Sequence, residues 1–331
     1  MVWRNKLEAK FTNKTIEVKT AMKVVSLYSG CGGLDLGVEN AGPFKVIWAN
    51  DCLTYACKTF QANFKDTKVI CGKIEGIDNF PKADLIIGGF PCQDFSLGGN
   101  WKKLTERGLQ YLQFSRCLEL VKPKFFIAEN VKDLIHYYFN GDKFLPIIIK
   151  EFESKGYRVK YKLLSSEKYG VPQVRKRIFI VGIRNDIDFE YQFPEETHGS
   201  KIKRYITLRD TIAGMPKFPE GDYIPNETGY SSRYMSRNRK RGWDEMSFTI
   251  QASGRQAPQH PMGEPMKKVG PDKWVFQGKE NRRLSYKECA LIQTFPENFI
   301  FEGTLANKYL QIGNAVPPLF AKKVAEGLVK K

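Results

Sequence analysis

The sequence predicts an α/β fold: a mostly parallel sheet with helices on both faces, and a smaller loop-rich domain inserted into it. Three observations carry this. Short apolar runs are continuous rather than alternating, as in strands covered on both faces. Segments of helical length separate them, and such repetition joins parallel strands through crossover helices. After about Ile183 the pattern breaks into a region rich in Pro, Gly, Asn, Arg and aromatics.

In chain order, residues 1–21 are a lysine-dotted polar extension without an apolar stretch, so no secretory signal is expected. Strands are predicted at 24–28, 46–49, 68–70, 85–87, 125–128 and 177–181, and helices at 33–41, 54–64, 107–121 and 142–155. Helical patterning returns at 285–294 and 317–329, and these segments are expected to pack back on the first domain. The predicted division is therefore 1–21, then 22–186 together with 286–331, with 187–285 as the insertion.

Composition narrows the class. The 331 residues suit two domains or one with an insertion. No apolar run reaches the roughly 18–20 residues that span a bilayer. Lys and Arg total 53 against 36 Asp and Glu, a formal charge of +17, which favours a polyanion such as nucleic acid as partner. Surface lysines kept for solubility give the same sum. The seven cysteines form no C-x-x-C pair, and none of the three histidines stands at ligand spacing from them, so no metal site is expected. Such cysteine use fits a reducing cytoplasm.

The loop after the first strand reads Tyr28-Ser29-Gly30-Cys31-Gly32-Gly33-Leu34-Asp35. Glycines there let backbone approach a ligand and present helix N-terminal amides. The dinucleotide fingerprint would need glycine where Asp35 stands. An acid beside a pyrophosphate would repel it, so the loop suits a nucleoside-like ligand that is not a diphosphate, such as S-adenosylmethionine. Many glycine-rich turns serve geometry alone. Asp51 ends the second strand, where an acid takes ribose hydroxyls in such folds or caps the following helix.

After the fourth strand comes Gly88-Gly89-Phe90-Pro91-Cys92-Gln93. Ligands of open α/β sheets gather at the carboxyl ends of strands, so Cys92 is placed as a nucleophile rather than a core filler. Glu129 ends the next strand and would share that crevice. Gln173-Val174-Arg175-Lys176-Arg177 leads into another strand; its two arginines, two residues apart, are expected to point the same way and offer donors to a base carbonyl or phosphate.

Together these residues resemble the DNA cytosine-5 methyltransferases, from Met22 to about Val329 and in the family's order. The resemblance also takes in residues 282–296 and Gly313-Asn314-Ala315-Val316-Pro317. It implies a Rossmann-like domain that binds S-adenosylmethionine and an inserted target-recognition domain. It implies that Cys92 adds to cytosine C6, that Glu129 protonates or hydrogen-bonds N3 and the 4-amino group, and that Arg177, helped by Arg175, binds O2. The target base must be flipped out of the duplex. Tyr28, Ser29, Gly30, Gly32, Gly33, Leu34, Asp51, Pro91, Asn314 and Val316 would line the donor pocket. Gln93 and Ser96 would contact DNA, with 93–107 as a lid.

Two positions depart from the family pattern. Lys73 stands where an acid usually faces the adenine amino group, and Gln110 replaces a leucine; weaker or differently arranged donor binding is expected. Residues 235–243 and 248–256 resemble the recognition domain of enzymes that methylate GGCC, so Arg237, Arg239 and Arg255 are candidate guanine readers. The same arginines would serve as phosphate contacts. The family further implies a monomer on double-stranded DNA in the bacterial cytoplasm and nucleoid, protecting DNA from a companion restriction endonuclease. Three rivals share features of the sequence: a tRNA cytosine-5 methyltransferase, a DNA-binding protein with weakened catalysis, and a nucleotide-dependent oxidoreductase.

Overall fold

The computed structural model describes residues 21–91, 109–139 and 141–329. The extension up to residue 20 lies outside them. The strands are β1 (Met22–Leu27), β2 (Phe44–Asp51), β3 (Lys68–Cys71), β4 (Leu85–Gly88), β5 (Phe125–Val131), β6 (Tyr138–Phe139), β7 (Asp142–Lys143), β8 (Tyr157–Ser165), β9 (Lys176–Arg184), β10 (Lys267–Gly270) and β11 (Lys273–Val275). The α-helices are α1 (Gly33–Glu39), α2 (Thr54–Asn63), α3 (Gln110–Val121), α4 (Phe144–Ser154), α5 (Leu208–Ile212), α6 (Ser232–Met235), α7 (Tyr286–Ile292), α8 (Leu305–Asn314) and α9 (Pro318–Glu326).

Seven strands form one sheet in the order β3-β2-β1-β4-β5-β9-β8. The first five are parallel, while β9 runs antiparallel to β5 and to β8. Successive residues of each strand feed opposite faces. Val24, Val46, Leu85, Ile87 and Ile127 join α1 and α9 on one face; Val25, Leu27, Ile86, Phe126 and Ala128 join α3 and α4 on the other. Burial on both sides explains the continuous apolar runs.

Strand β8 was not among the sequence-predicted strands. It is an edge strand with Arg158, Lys162 and Tyr161 largely in solvent, so its apolar signal is interrupted. On α4 the apolar residues Leu145, Ile148, Ile149 and Phe152 recur at helical spacing and are buried. Phe152 meets Phe126 edge-on at 5.2 Å. Each such side chain contributes about 1.5–3 kcal/mol by leaving water.

Glycines set the contact between the two ends of the chain. A Cβ on Gly33 would stand 2.5 Å from the Val316 carbonyl oxygen, and one on Gly37 would stand 2.3 Å from that of Pro318. Helix α1 can therefore lie directly on the start of α9.

The segment after β9 holds the two short helices α5 and α6 and the β10–β11 hairpin. Its apolar residues Leu208, Ile212, Ile250 and Ala257 cluster with Leu284, Cys289, Ile292, Tyr309 and Ile312. Val316, Phe320 and Val324 instead join the layer over the sheet. The returning C-terminal helices thus pack on both parts: α7 and α8 contribute to the first of these clusters and α9 to the second. No helix among the described residues is long and apolar enough to cross a membrane.

Asp35 does not face the ligand loop. It sits on the first turn of α1, fully buried, beside the Ser26 hydroxyl. The third glycine of a dinucleotide fingerprint is where the helix packs on the strand. An aspartate there meets β1 rather than a bound phosphate, so it bars that fingerprint by its burial and not by facing a pyrophosphate. Burial raises its pKa from 3.8 to about 7. The raised value contributes stability at acidic pH, and that contribution is lost as pH climbs from about 4 through about 7. We expect Asp35→Asn to raise the unfolding temperature at pH 8 more than at pH 5. An equal shift at both pH values would show that the carboxyl does not titrate there.

Candidate active site

The sheet reverses its strand order between β1 and β4, and the carboxyl ends of the parallel strands form a crevice around that point. Tyr28 leaves β1 with φ of +54°, a conformation rare for a bulky residue and one that stores strain. Gly30 (φ +56°) and Gly32 (φ +89°) complete the turn, and a Cβ on Gly32 would collide with the Phe64 ring. Leu34, the next residue but one, is buried against the sheet.

Asp51 holds this loop. Its Oδ2 accepts from the Gly30 amide at 2.9 Å and its Oδ1 from the Leu53 amide at 2.9 Å. The cap of α2 is Leu53, so Asp51 is not the capping residue itself. Burial raises the Asp51 pKa against these amide bonds. Two features fit a nucleoside methyl donor. The buried Ser29 Oγ has no hydrogen-bond partner among the described residues, and nothing stands within 4 Å of where a Gly30 Cβ would be. Val316 lies behind Gly33, and Asn314 is exposed at the end of α8. No group of His, Cys, Asp and Glu among the described residues could hold a metal.

Glu129 and Arg177 meet because β9 is antiparallel to β5. That pairing sets Arg177, near the start of β9, opposite Val131, near the end of β5. Arg177 Nε lies 2.9 Å from Glu129 Oε1. Burial raises the Glu129 pKa, and Arg177 and Arg175 pull it back down. The loop toward Cys92 is anchored to the same strand. Asn130 Nδ2 donates to the Phe90 carbonyl at 3.1 Å, and a Cβ on Gly89 would stand 3.0 Å from Glu129 Oε2. Phe90 is buried and Pro91 is half-buried beyond it. Cys92, Gln93 and Ser96, and the remainder of 93–107, lie outside the described residues.

Arg175 is held differently from Arg177. It precedes β9, so strand alternation does not govern it, and it is buried. Its Nη1 donates to the Ile250 carbonyl at 3.1 Å and its Nη2 to that of Gly313 at 2.8 Å. Gln173, not singled out from sequence as a site residue, works beside it: its Nε2 donates to Gln293 Oε1 at 2.7 Å and its Oε1 accepts from the Ile250 amide at 2.6 Å. These buried polar groups join the segment after β9 to the crevice. The only sequence signal was their place within Gln173–Arg177 and within residues 282–296.

The three candidate reader arginines are not alike. Arg237 and Arg255 are exposed, whereas Arg239 is 5 % exposed. Arg239 lies 4.5 Å over the Tyr234 ring, and its Nε donates to the Tyr234 carbonyl at 2.8 Å. Its guanidinium also donates to the Arg233 carbonyl at 3.1 Å. In this conformation Arg239 braces the segment that carries Arg237.

Comparison with known proteins agrees with this arrangement. The family described as C-5 cytosine-specific DNA methylase matches residues 22–330. The chain is 46% identical to Type II methyltransferase M.BsuRI of Bacillus subtilis, over 92% of this chain and 78% of that protein. It is 41% identical to Type II methyltransferase M.MthTI of Methanothermobacter thermautotrophicus, over 93% of this chain and 97% of that protein. Among solved structures, Spodoptera frugiperda DNMT2 superposes with a TM-score of 0.68 at 17% identity, over 94% of this chain and all of that one, a likeness of fold.

Asn130 is the anchor of the loop that precedes Cys92. Asn130→Ala is expected to cost about 1 kcal/mol, the worth of one hydrogen bond. It should also speed amide hydrogen exchange through residues 88–90. Unchanged exchange there would show that the loop is held by something else.

Proposed function

The chain belongs to the C-5 cytosine-specific DNA methylases, and on that premise we propose that it methylates C5 of a cytosine flipped out of duplex DNA through a transient Cys92–C6 bond. The observation that carries this reading is the Glu129–Arg177 pair at 2.9 Å, beside the loop that runs through Pro91 to Cys92.

Cytosine C5 is a poor nucleophile, and thiolate addition at C6 makes it enamine-like. Glu129 eases that addition by protonating or hydrogen-bonding N3 and holding the 4-amino group; its burial favours the protonated form. Arg177 binds O2 and offsets the charge that develops on the ring. Arg175 keeps the crevice assembled through its grip on Ile250 and Gly313. S-adenosylmethionine, when bound, supplies the methyl group. Ser29, Gly30, Gly32, Gly33 and Leu34 would hold it with Asp51, while Tyr28, Pro91, Asn314 and Val316 border it. After transfer the C5 hydrogen leaves as a proton and the thiolate is expelled, restoring the ring. Gln93 and Ser96 would contact the target strand.

The residues from 187 to 285 act as the target-recognition part, and the remainder from 22 as the catalytic part. Exposed Arg237 and Arg255 are the readers of a short G/C site such as GGCC, each arginine–guanine pair being worth ~1–3 kcal/mol. Arg239 supports them. The names of the relatives, Type II methyltransferases, support a place in a restriction–modification system. There the enzyme would work as a cytoplasmic monomer on chromosomal DNA and shield its site from a companion endonuclease.

Bisulfite mapping of DNA from cells expressing the chain tests this reading. We expect C5 methylation confined to one short G/C sequence. Arg237→Ala or Arg255→Ala should slow it roughly 5–150-fold, the equivalent of one lost guanine contact. Arg239→Ala should in addition lower the unfolding temperature. Methyl transfer to tRNA with none to DNA would overturn the assignment.

A further inference from the structure

Three thiols that the proposed chemistry does not use gather at the carboxyl ends of β2 and β3. Cys52 and Cys71 are exposed and Cys57 is buried. Strand register sets Cys71 beside Asp51, and the Gly72 amide donates to the Asp51 carbonyl at 2.9 Å. The Cys57 thiol donates to that same carbonyl at 3.3 Å. Cys71 Sγ reaches Thr54 Oγ1 at 4.0 Å. Thr54 and Cys57 stand three residues apart on α2 and so share a helix face. Helix α2 packs on β3, and the Cys71 thiol lies within hydrogen-bonding reach of the Cys57 sulfur.

The two members of this pair are unequal. A thiolate, not a thiol, attacks an oxidant, and access decides which cysteine meets one. Burial first, then Cys71 and Asp51, push the Cys57 thiol up, so it stays protonated and shielded. Cys71 is the member open to solvent. Their neighbour Asp51 also holds the glycine loop, through the bond from the Gly30 amide to its Oδ2. A change at the Cys57 sulfur therefore reaches that loop through one residue. In a reducing compartment, bonds between such cysteines are transient and serve redox sensing.

We propose that Cys57 and Cys71 form a reversible disulfide when the chain meets a peroxide, and that this bond loosens the glycine loop through Asp51. The Cys71 thiolate attacks one peroxide oxygen, the O–O bond breaks, and the departing hydroxide takes up a proton as water; Cys71 is left as a sulfenic acid. Cys57 gives up its proton and attacks that sulfur, the S–S bond forms, and the expelled hydroxide takes the proton as a second water. The two thiols lose two electrons and the peroxide gains them. Once bonded to Cys71, the Cys57 sulfur has no hydrogen left for the Asp51 carbonyl. The effect on the loop rests on the reading of S-adenosylmethionine as donor; the bond itself does not.

The test uses the full chain carrying Cys92→Ser, so that the proposed nucleophile takes no part. After hydrogen peroxide, alkylation and tryptic digestion without reductant, the peptide of residues 46–58 should be found linked to that of residues 69–73. The first peptide holds both Cys52 and Cys57, so the link should persist when Cys52→Ser is added. Calorimetry should show S-adenosylhomocysteine binding weakened roughly fivefold by peroxide, the equivalent of one lost hydrogen bond, and restored by dithiothreitol. With Cys71→Ser added, the affinity should be the same before and after peroxide. Thiols that stay free to alkylation, or a link that disappears with Cys52→Ser, would overturn the pair. A link with no change in affinity would overturn its effect on the loop. A reduced chain that binds no S-adenosylhomocysteine would overturn the donor reading, and the peptide mapping would still decide the bond.

Discussion

The site depends on a reversal of strand direction. Were β9 parallel to β5 like its neighbours, Arg177 would lie at the opposite edge of the sheet from Glu129. Antiparallel pairing brings the first residues of β9 to the last residues of β5, and a cation meets a buried carboxylate across two adjacent strands. Neither charge is well solvated there, so each depends on the other. The next residue, Asn130, is buried at the same strand end and ties down the loop that leads to Cys92. One strand end thus organises an acid, a cation and the approach to a thiol.

A second set of buried polar groups connects that edge to the segment after β9. Arg175 and Gln173 bond to backbone atoms of Ile250 and Gly313 and to the Gln293 side chain. Gly313 packs so closely on residues 251–252 that a Cβ would overlap them, at 2.3 Å. Buried donors and acceptors are costly unless paired. Displacing the segment after β9 would leave several unpaired at once. The part proposed to read DNA is therefore coupled mechanically to the part proposed to do the chemistry.

Much of this was legible in the sequence. Continuous apolar runs separated by helical lengths correctly implied the parallel sheet, because both faces of those strands are buried. The glycine loop and the acid of Asp51 stood where a crevice would form. Other features were not legible for identifiable reasons. Strand β8 hides its pattern because the consecutive residues Tyr161, Lys162 and Leu163 are exposed on both of its faces. The split between Arg175 and Arg177 follows from where β9 begins, which two arginines at the same spacing do not reveal. Asp35 resembled an exposed loop acid until the helix rotation put it against Ser26. Arg239 has the same local sequence character as Arg237, and its burial over the Tyr234 ring, with hydrogen bonds to the Tyr234 and Arg233 carbonyls, sets it apart only in the fold. The hydrogen bond from the Tyr28 hydroxyl to the Gln110 carbonyl joins residues 82 positions apart and has no local signature.

The account stands or falls on a covalent bond between Cys92 and the target base. A duplex carrying 5-fluorocytosine at the target position, incubated with the chain and S-adenosylmethionine, tests it directly, because fluorine at C5 cannot leave as a proton would. The account predicts a stable one-to-one protein–DNA adduct that maps to Cys92 by peptide mass spectrometry and is absent in Cys92→Ser. No adduct, or one mapped to a different cysteine, would contradict it.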